Sequence, residues 1–362
     1  MTTAPDLVVL GGGIVGLTSA LAAANRGMRV TVIDQLRPGA SSRASAGILA
    51  PSVDGLPRPA LAAAWAARDF YPGFLEALAE VTELEVPLDR SGVLELASSP
   101  EELEKLAGRA PTSTRLDAAA LAGLEPAFAG HAGALMHPHD GGVDVVALMS
   151  ALDVAIAIHP RVARVTDEVA SLDARGNLPA FRSRGGTRYA GRRLLLASGA
   201  WAGALPGLPR AIPVRPVRGQ LIRLEGPSIR HTTFGGGGYL VRRNGALLVG
   251  ATSEETGFDS NTTPRGLKEL RAIATRAIPG LAKANLVEHW AALRPMSGDG
   301  FPILGADPSL PALFYACGFS RNGILLAPWA ADRLAQALAG GSAAEVLAPF
   351  RVERFEENPI TL

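Results

Sequence analysis

Gly11, Gly13 and Gly16 stand in the pattern G-x-G-x-x-G, with Leu7-Val8-Val9-Leu10 before them, a small-residue helical stretch after them, and Arg29-Val30-Thr31-Val32-Ile33 ending at Asp34. These residue types at this spacing can hold a dinucleotide. The first glycine makes the tight turn, the second lets backbone approach the pyrophosphate, and the third brings helix against strand. The helix then presents unpaired N–H groups and the positive end of its dipole to the phosphates, so the anion needs no lysine or arginine. Asp34, at the end of the second strand, suits ribose hydroxyls and would repel the additional phosphate of NADP. The motif does not separate FAD from NAD.

The elements that must position these groups follow from pattern. Ser41 to Pro51 is rich in small residues and reads as a loop. Apolar positions recur at helical spacing from Ala60 to about Glu80 and are interrupted at Pro72, whose missing N–H predicts two helices in succession. Short apolar runs and an acidic helical segment, Pro100 to Leu106, fall between Val86 and Met136, and Val143 to Ile158 is again helical. Arg192 to Gly199 reads as a buried parallel strand ending in a tight turn. Gly219 to Leu224 and Tyr239 to Thr252, with a turn at Asn244-Gly245, suit an antiparallel sheet. Leu313 to Gly318 is a strand, and a helix from about Gly323 to Ala339 points its N-terminus at a ligand.

Bulk properties bound the function classes. The 362 residues suffice for one large or two interleaved domains. A net charge of +1 gives no broad basic field for nucleic acid, and no apolar run approaches the roughly 20 residues of a membrane span. Cys317 is the single cysteine, which excludes an intramolecular disulfide and fits a reducing cytoplasm; no signal-peptide pattern precedes the first strand. His137-Pro138-His139-Asp140 invites a metal reading but lacks a convincing third ligand, so no metal is expected.

Together the stretches Gly11 to Gly16 with Asp34, Ser45-Ala46-Gly47, Ala197 to Trp201, Val217-Arg218-Gly219-Gln220, Trp290 to Pro295, Asp299 to Gly305 and Gly318 to Pro328 resemble a known family. They are similar to the flavoprotein amine and amino-acid oxidases of the D-amino-acid oxidase type, most closely the glycine oxidases of thiamine biosynthesis. The resemblance implies an α/β fold in which a Rossmann-like FAD-binding domain (1–82, 141–212 and 297–362) is interleaved with a substrate domain (83–140 and 213–296) built on an antiparallel sheet with flanking helices. It also implies non-covalent FAD, since the cysteine that carries flavin in some sarcosine oxidases falls in a different segment from Cys317, and it implies a homotetramer.

By the same resemblance, Gly11, Gly13, Ile14, Val15, Gly16 and Asp34 hold pyrophosphate and ribose, and Ser45, Ala46 and Gly47 lie beside the ring system. Val169 offers strand backbone, Ala197, Ser198 and Gly199 line the cofactor, and Arg321, Asn322, Gly323, Ile324 and Leu325 close around the isoalloxazine. Arg294 takes the place of the arginine that forks onto a substrate carboxylate; without the resemblance it reads as one more surface charge. Tyr239 takes the place of a second donor to that carboxylate, its bland alternative being a half-buried strand tyrosine. Gly235 to Gly238 just before it is expected to form a mobile lid. Arg321 either reaches the substrate or pairs with a carboxylate at the domain boundary, and Ile48 either lines the pocket or packs in the core.

The expected reaction is oxidative deamination of glycine, with sarcosine and small D-amino acids as further substrates. The Cα hydride passes to flavin N5, an imine hydrolyses to glyoxylate and ammonia, and oxygen accepts the electrons to give hydrogen peroxide. No catalytic base is apparent; a neutral substrate amine can assist with its own lone pair. The alternatives are a D-amino-acid or secondary-amine oxidase or dehydrogenase of the same fold with another substrate or acceptor, and an FAD-binding protein without turnover.

Overall fold

A computed structural model describes residues 4–53, 56, 58–110, 112–341 and 344–357. Two large sheets carry the architecture. The first has six strands in the order Ile303–Ala306, Leu313–Cys317, Arg193–Leu196, Leu7–Leu10, Val30–Asp34 and Val162–Thr166, all parallel except the antiparallel edge strand Ile303–Ala306. Its alternating side chains serve two cores. Leu7 and Val9 pack towards the helices Ile14–Asn25, Val145–Ile158 and Gly323–Leu338. Val8 and Leu10 face the other way, onto the small antiparallel sheet Val169–Asp173, Ala180–Ser183 and Arg188–Ala190. Coverage on both faces explains why these strands are apolar throughout.

The second sheet has eight strands, in the order Leu286–Ser297, Val214–Leu224, Ala246–Gly250, Gly238–Arg243, Thr232–Gly235, Val93–Ala97, Gly133–His137 and Thr114–Asp117. It is antiparallel except where Thr232–Gly235 runs parallel to Val93–Ala97, the seam at which two segments distant in sequence meet. One face buries Ile222, Leu224, Leu240, Leu247 and Val249 against the helix Pro264–Ala277. Asn244 and Gly245, with φ of 50° and 76°, make the two-residue turn that joins Gly238–Arg243 to Ala246–Gly250.

Two expectations need correction. Arg58–Thr82 is a single helix that runs through Pro72, not two helices. Its apolar stripe, with Ala64, Ala67, Tyr71, Leu75 and Leu78 buried, packs into the same core as the helix Gly323–Leu338, and that burial outweighs one missing backbone hydrogen bond. The second helix holds a proline as well, Pro328, so its residue four back, Ile324, has no N–H to meet its carbonyl. The Tyr71 hydroxyl donates to that carbonyl at 2.5 Å. Burial pushes the Tyr71 phenol well above its ordinary range, so it remains a donor.

The second correction concerns Gly235 to Gly238. Gly236 and Gly237, with φ of 62° and 90°, are a tight turn between paired strands rather than a lid. Arg276 Nε donates to the Gly236 carbonyl at 2.7 Å, and Gly238 lies so close to Ile273 that a Cβ there would meet its Cγ2 at 2.8 Å. Both contacts pin the turn to the helix Pro264–Ala277.

Candidate active site

The nucleotide end is built from missing side chains. Gly11 has a φ of 117°, and a Cβ on it would lie 2.3 Å from the Ala197 carbonyl oxygen. On Gly16 a Cβ would lie 1.9 Å from the Gly11 carbonyl oxygen, so the helix Ile14–Asn25 can sit on its strand only with glycine there. Gly12 is as constrained by its surroundings: the Asp34 carboxylate lies over it, 2.6 Å from where a Cβ would be. The loop that follows Asp34 folds back, and the Ser42 hydroxyl accepts the Ile14 N–H at 3.0 Å.

A cavity of about 840 Å³ runs from this loop to the eight-stranded sheet. Its walls include Gly11, Gly13, Ile14, Val15, Asp34, Ser45, Ala46, Ile48, Val169, Ala197, Ser198, Gly199, Tyr239, Arg294, Arg321, Asn322, Gly323 and Ile324. Three of the expected contacts do not face it. Gly16 is spent on helix packing, Gly47 places its α-carbon against the Val143 carbonyl, where a Cβ would be 2.1 Å away, and the Leu325 side chain is in the core beneath the sheet. Neither helix that opens on the cavity, Ile14–Asn25 or Gly323–Leu338, has a cap from its own N-cap side chain; Ser42 takes the Ile14 N–H of the first, and the other first-turn N–H groups are left for an anion.

At the far end, Arg294 and Tyr239 come from different strands of the eight-stranded sheet. The register Tyr239–Gly250–Leu221–Trp290 runs straight across four strands, and Gly219 and Arg294 lie on the same face. Arg294 Nη1 donates to the Thr252 carbonyl at 2.9 Å. Burial pushes its guanidinium down from the ordinary value; the Tyr239 ring opposes that effect, while the like charge of Arg321 adds to it. Burial pushes the Tyr239 phenol up to about 12, against the pull of Arg294 and Arg243, so Tyr239 is a neutral donor at ordinary pH. Arg321 is exposed, lines the cavity and has no ion pair among the described residues. Ile48 does both things weighed for it: it lines the cavity and packs against the cluster of Ala46, Leu221 and Leu248.

Residues 6–337 match the family model described as FAD dependent oxidoreductase. The chain belongs to the FAD dependent oxidoreductase family. A glycine oxidase of Geobacillus kaustophilus (strain HTA426) is 32% identical to it, the match covering 98% of each chain. The crystal structure of glycine oxidase from Geobacillus kaustophilus has a TM-score of 0.90 at 30% identity, covering 98% of this chain and 99% of that one. That of iminodiacetate oxidase from Chelativorans sp. BNC1 has a TM-score of 0.88 at 27% identity, covering 96% and 98%.

The residues fit the family's cofactor, FAD. The glycine cradle that a Cβ would fill, Asp34 over Gly12, and two helix N-termini opening on one cavity supply what a pyrophosphate, a ribose and a reducible ring require. Cys317, its thiol pushed up to about 12 by burial, stays protonated and unreactive. Among the described residues no group of three or more His, Cys, Asp or Glu could hold a metal. His137 instead meets Ser113 at 2.8 Å, and the Asp140 carboxylate accepts from Arg68 and Ser52.

Several contributors escaped the sequence reading. Arg243 donates from Nη1 to the Ser45 carbonyl at 3.2 Å and from Nη2 to the Ala46 carbonyl at 2.8 Å, and Trp290 Nε1 donates to the Ala44 carbonyl at 3.0 Å. The eight-stranded sheet therefore fixes the small-residue loop that lines the cavity. Nothing in the local pattern of Arg242-Arg243 distinguishes the second arginine from a solvated turn charge. Arg243→Ala is expected to weaken FAD binding about tenfold, through loss of its two charge-assisted bonds to the Ser45 and Ala46 carbonyls. Flavin content after gel filtration at a series of dilutions measures it, and full retention at every dilution would contradict it.

Proposed function

We propose that this protein catalyses the oxidative deamination of glycine, glycine with water and oxygen giving glyoxylate, ammonia and hydrogen peroxide, and that sarcosine and small D-amino acids enter the same site. The observation that carries the reading is the pairing of a half-buried guanidinium, Arg294, with a neutral phenol, Tyr239, across one sheet face at the end of the family's FAD cavity. Arg294 gives a carboxylate two parallel N–H donors, and Tyr239 gives it an O–H. With the carboxylate fixed, the Cα and amine of a small amino acid are held in one orientation, which lowers the entropy cost of reaction. Bound FAD supplies the two-electron acceptor. Ile48 and Leu221 line the same cavity and give it apolar walls that strengthen an ion pair formed there.

The interleaved division into an FAD-binding part (1–82, 141–212 and 297–362) and a substrate part (83–140 and 213–296) belongs to the same proposal. So does a homotetramer in the cytoplasm that uses oxygen; among the described residues, no helix is long and apolar enough to cross a membrane. A second reading, a secondary amine bearing two carboxylates, is favoured by Arg321: a cation on the same cavity wall, with no ion pair among the described residues, can meet a second anion. Anaerobic addition of glycine to the FAD-loaded protein, with sarcosine and iminodiacetate in parallel, tests both. Bleaching of the visible flavin absorbance by glycine is expected. Bleaching by iminodiacetate alone would transfer the assignment to the second reading, and an unchanged spectrum with all three would remove both.

A further inference from the structure

Gly219 and Gly250 are unlike the glycines of the nucleotide loop, because neither has a positive φ and so neither is required by its backbone. What lies over them explains them. A Cβ on Gly219 would fall 2.4 Å from both Nη atoms of Arg294 and 2.5 Å from its Cζ. A Cβ on Gly250 would fall 2.3 Å from both Cζ and the hydroxyl oxygen of Tyr239, and 2.5 Å from Cε2. Arg294 starts on the edge strand Leu286–Ser297, crosses Val214–Leu224 through the gap at Gly219, and reaches the Thr252 carbonyl beyond the strand Ala246–Gly250. Tyr239 starts on Gly238–Arg243 and lies over Ala246–Gly250 through the gap at Gly250. On one face of the sheet the two side chains approach one another from strands on either side of Val214–Leu224 and Ala246–Gly250, each lying flat where a side chain is missing.

We infer that Gly219 and Gly250 are positioning residues that seat Arg294 and Tyr239 flat on the sheet and so set the geometry with which a substrate carboxylate is bound. The inference rests on the reading of Arg294 and Tyr239 given under Proposed function. A methyl group at either position leaves the strand intact but lifts the guanidinium or the phenol off the sheet by the width of a methyl. A shift of that size is enough to misplace a small substrate. The sheet tolerates both alanines, since an extended backbone accepts them and the atoms they displace are side-chain ends.

The test uses the full, FAD-loaded chain and four measurements: flavin content, melting temperature, KM and kcat for glycine, and the dissociation constant of acetate read from its perturbation of the flavin spectrum. Gly219→Ala and Gly250→Ala are expected to retain FAD and the melting transition while KM for glycine and the acetate constant rise about tenfold or more, with a smaller change in kcat. A purely structural role would not be specific to a carboxylate, so a double-mutant cycle separates the two. Gly219→Ala should add nothing to Arg294→Ala, and Gly250→Ala should add nothing to Tyr239→Ala. The inference falls if both glycine variants keep KM and the acetate constant within twofold of the parent while Arg294→Ala raises them, if the cycles are additive, or if both variants lose FAD or fail to fold. If Arg294→Ala itself changes neither quantity, the carboxylate reading fails first and leaves the glycines nothing to position.

Discussion

Replacing Arg294 with alanine is expected to lower kcat/KM for glycine by roughly 30-fold to several thousand-fold while the protein keeps its FAD, because removing one partner of a desolvated charge pair costs about 2–5 kcal/mol. The size follows from the surroundings. The guanidinium lies over Gly219 and, among the described residues, donates to the Thr252 carbonyl, so a carboxylate arriving there would lose its forked, planar donor. Tyr239 alone offers a single neutral donor. Lysine should restore only part of the loss, since it has a point charge in place of a planar fork. If Arg294 does no more than hold the carboxylate, KM rises and kcat stays; if it also fixes where Cα sits, kcat falls with it. Steady-state kinetics with flavin content as the control decide this, and a kcat/KM within threefold of the parent would refute the assignment.

Gly16→Ala should abolish FAD binding, with a loss in affinity of more than about 100-fold, and should destabilise the fold by about 1–3 kcal/mol. Here the obstacle is backbone. The new methyl would lie 1.9 Å from the Gly11 carbonyl and 3.4 Å from Val9 Cγ1, and neither the turn nor the central strand Leu7–Leu10 has room to retreat. The helix Ile14–Asn25 must lift off the sheet, and its N-terminal N–H groups leave the phosphate position with it. Gly12→Ala is the informative comparison, because its methyl would meet the Asp34 side chain, Oδ2 at 2.6 Å and Cβ at 2.9 Å, instead of a backbone carbonyl; the carboxylate can turn aside, while Cβ must shift slightly. It should weaken binding without eliminating it. Absorbance of the purified variants and their urea midpoints measure both effects; a yellow Gly16→Ala protein with the parent midpoint would contradict the expectation.

These two sites differ in how much of each could be read in advance. Gly11, Gly13, Gly16 and Asp34 form a local code: turn, helix start and strand end lie within one strand–helix–strand unit, so spacing alone specifies their geometry. The buried strand Arg193–Leu196 and the turn at Asn244-Gly245 are legible for the same reason, each needing only its own neighbours. Pro72 misled because a helix breaker is a local signal, whereas the helix Arg58–Thr82 is stabilised by the long apolar stripe it buries against Gly323–Leu338. The run Gly235 to Gly238 misled in the opposite sense. Glycines mean freedom only where nothing holds them, and Arg276 and Ile273 hold these from a helix whose relation to the run is set by the sheet between them.

The sequence by itself determined the nucleotide-binding unit, the central strands of the first sheet and the hairpin at Asn244-Gly245, because hydrophobic period, turn residues and glycine spacing act over short stretches of chain. Only the tertiary structure decided which arginines matter and why particular glycines stand beside them. Arg243 reaches the loop at Ser45 and Ala46 from 198 and 197 residues away, Tyr71 completes the helix carbonyl left open by Pro328 from 253 residues away, and Gly219 and Gly250 make sense only beneath Arg294 and Tyr239. Each of these depends on two distant segments meeting at a distance of a few ångströms, and such a meeting leaves no periodic trace in either segment.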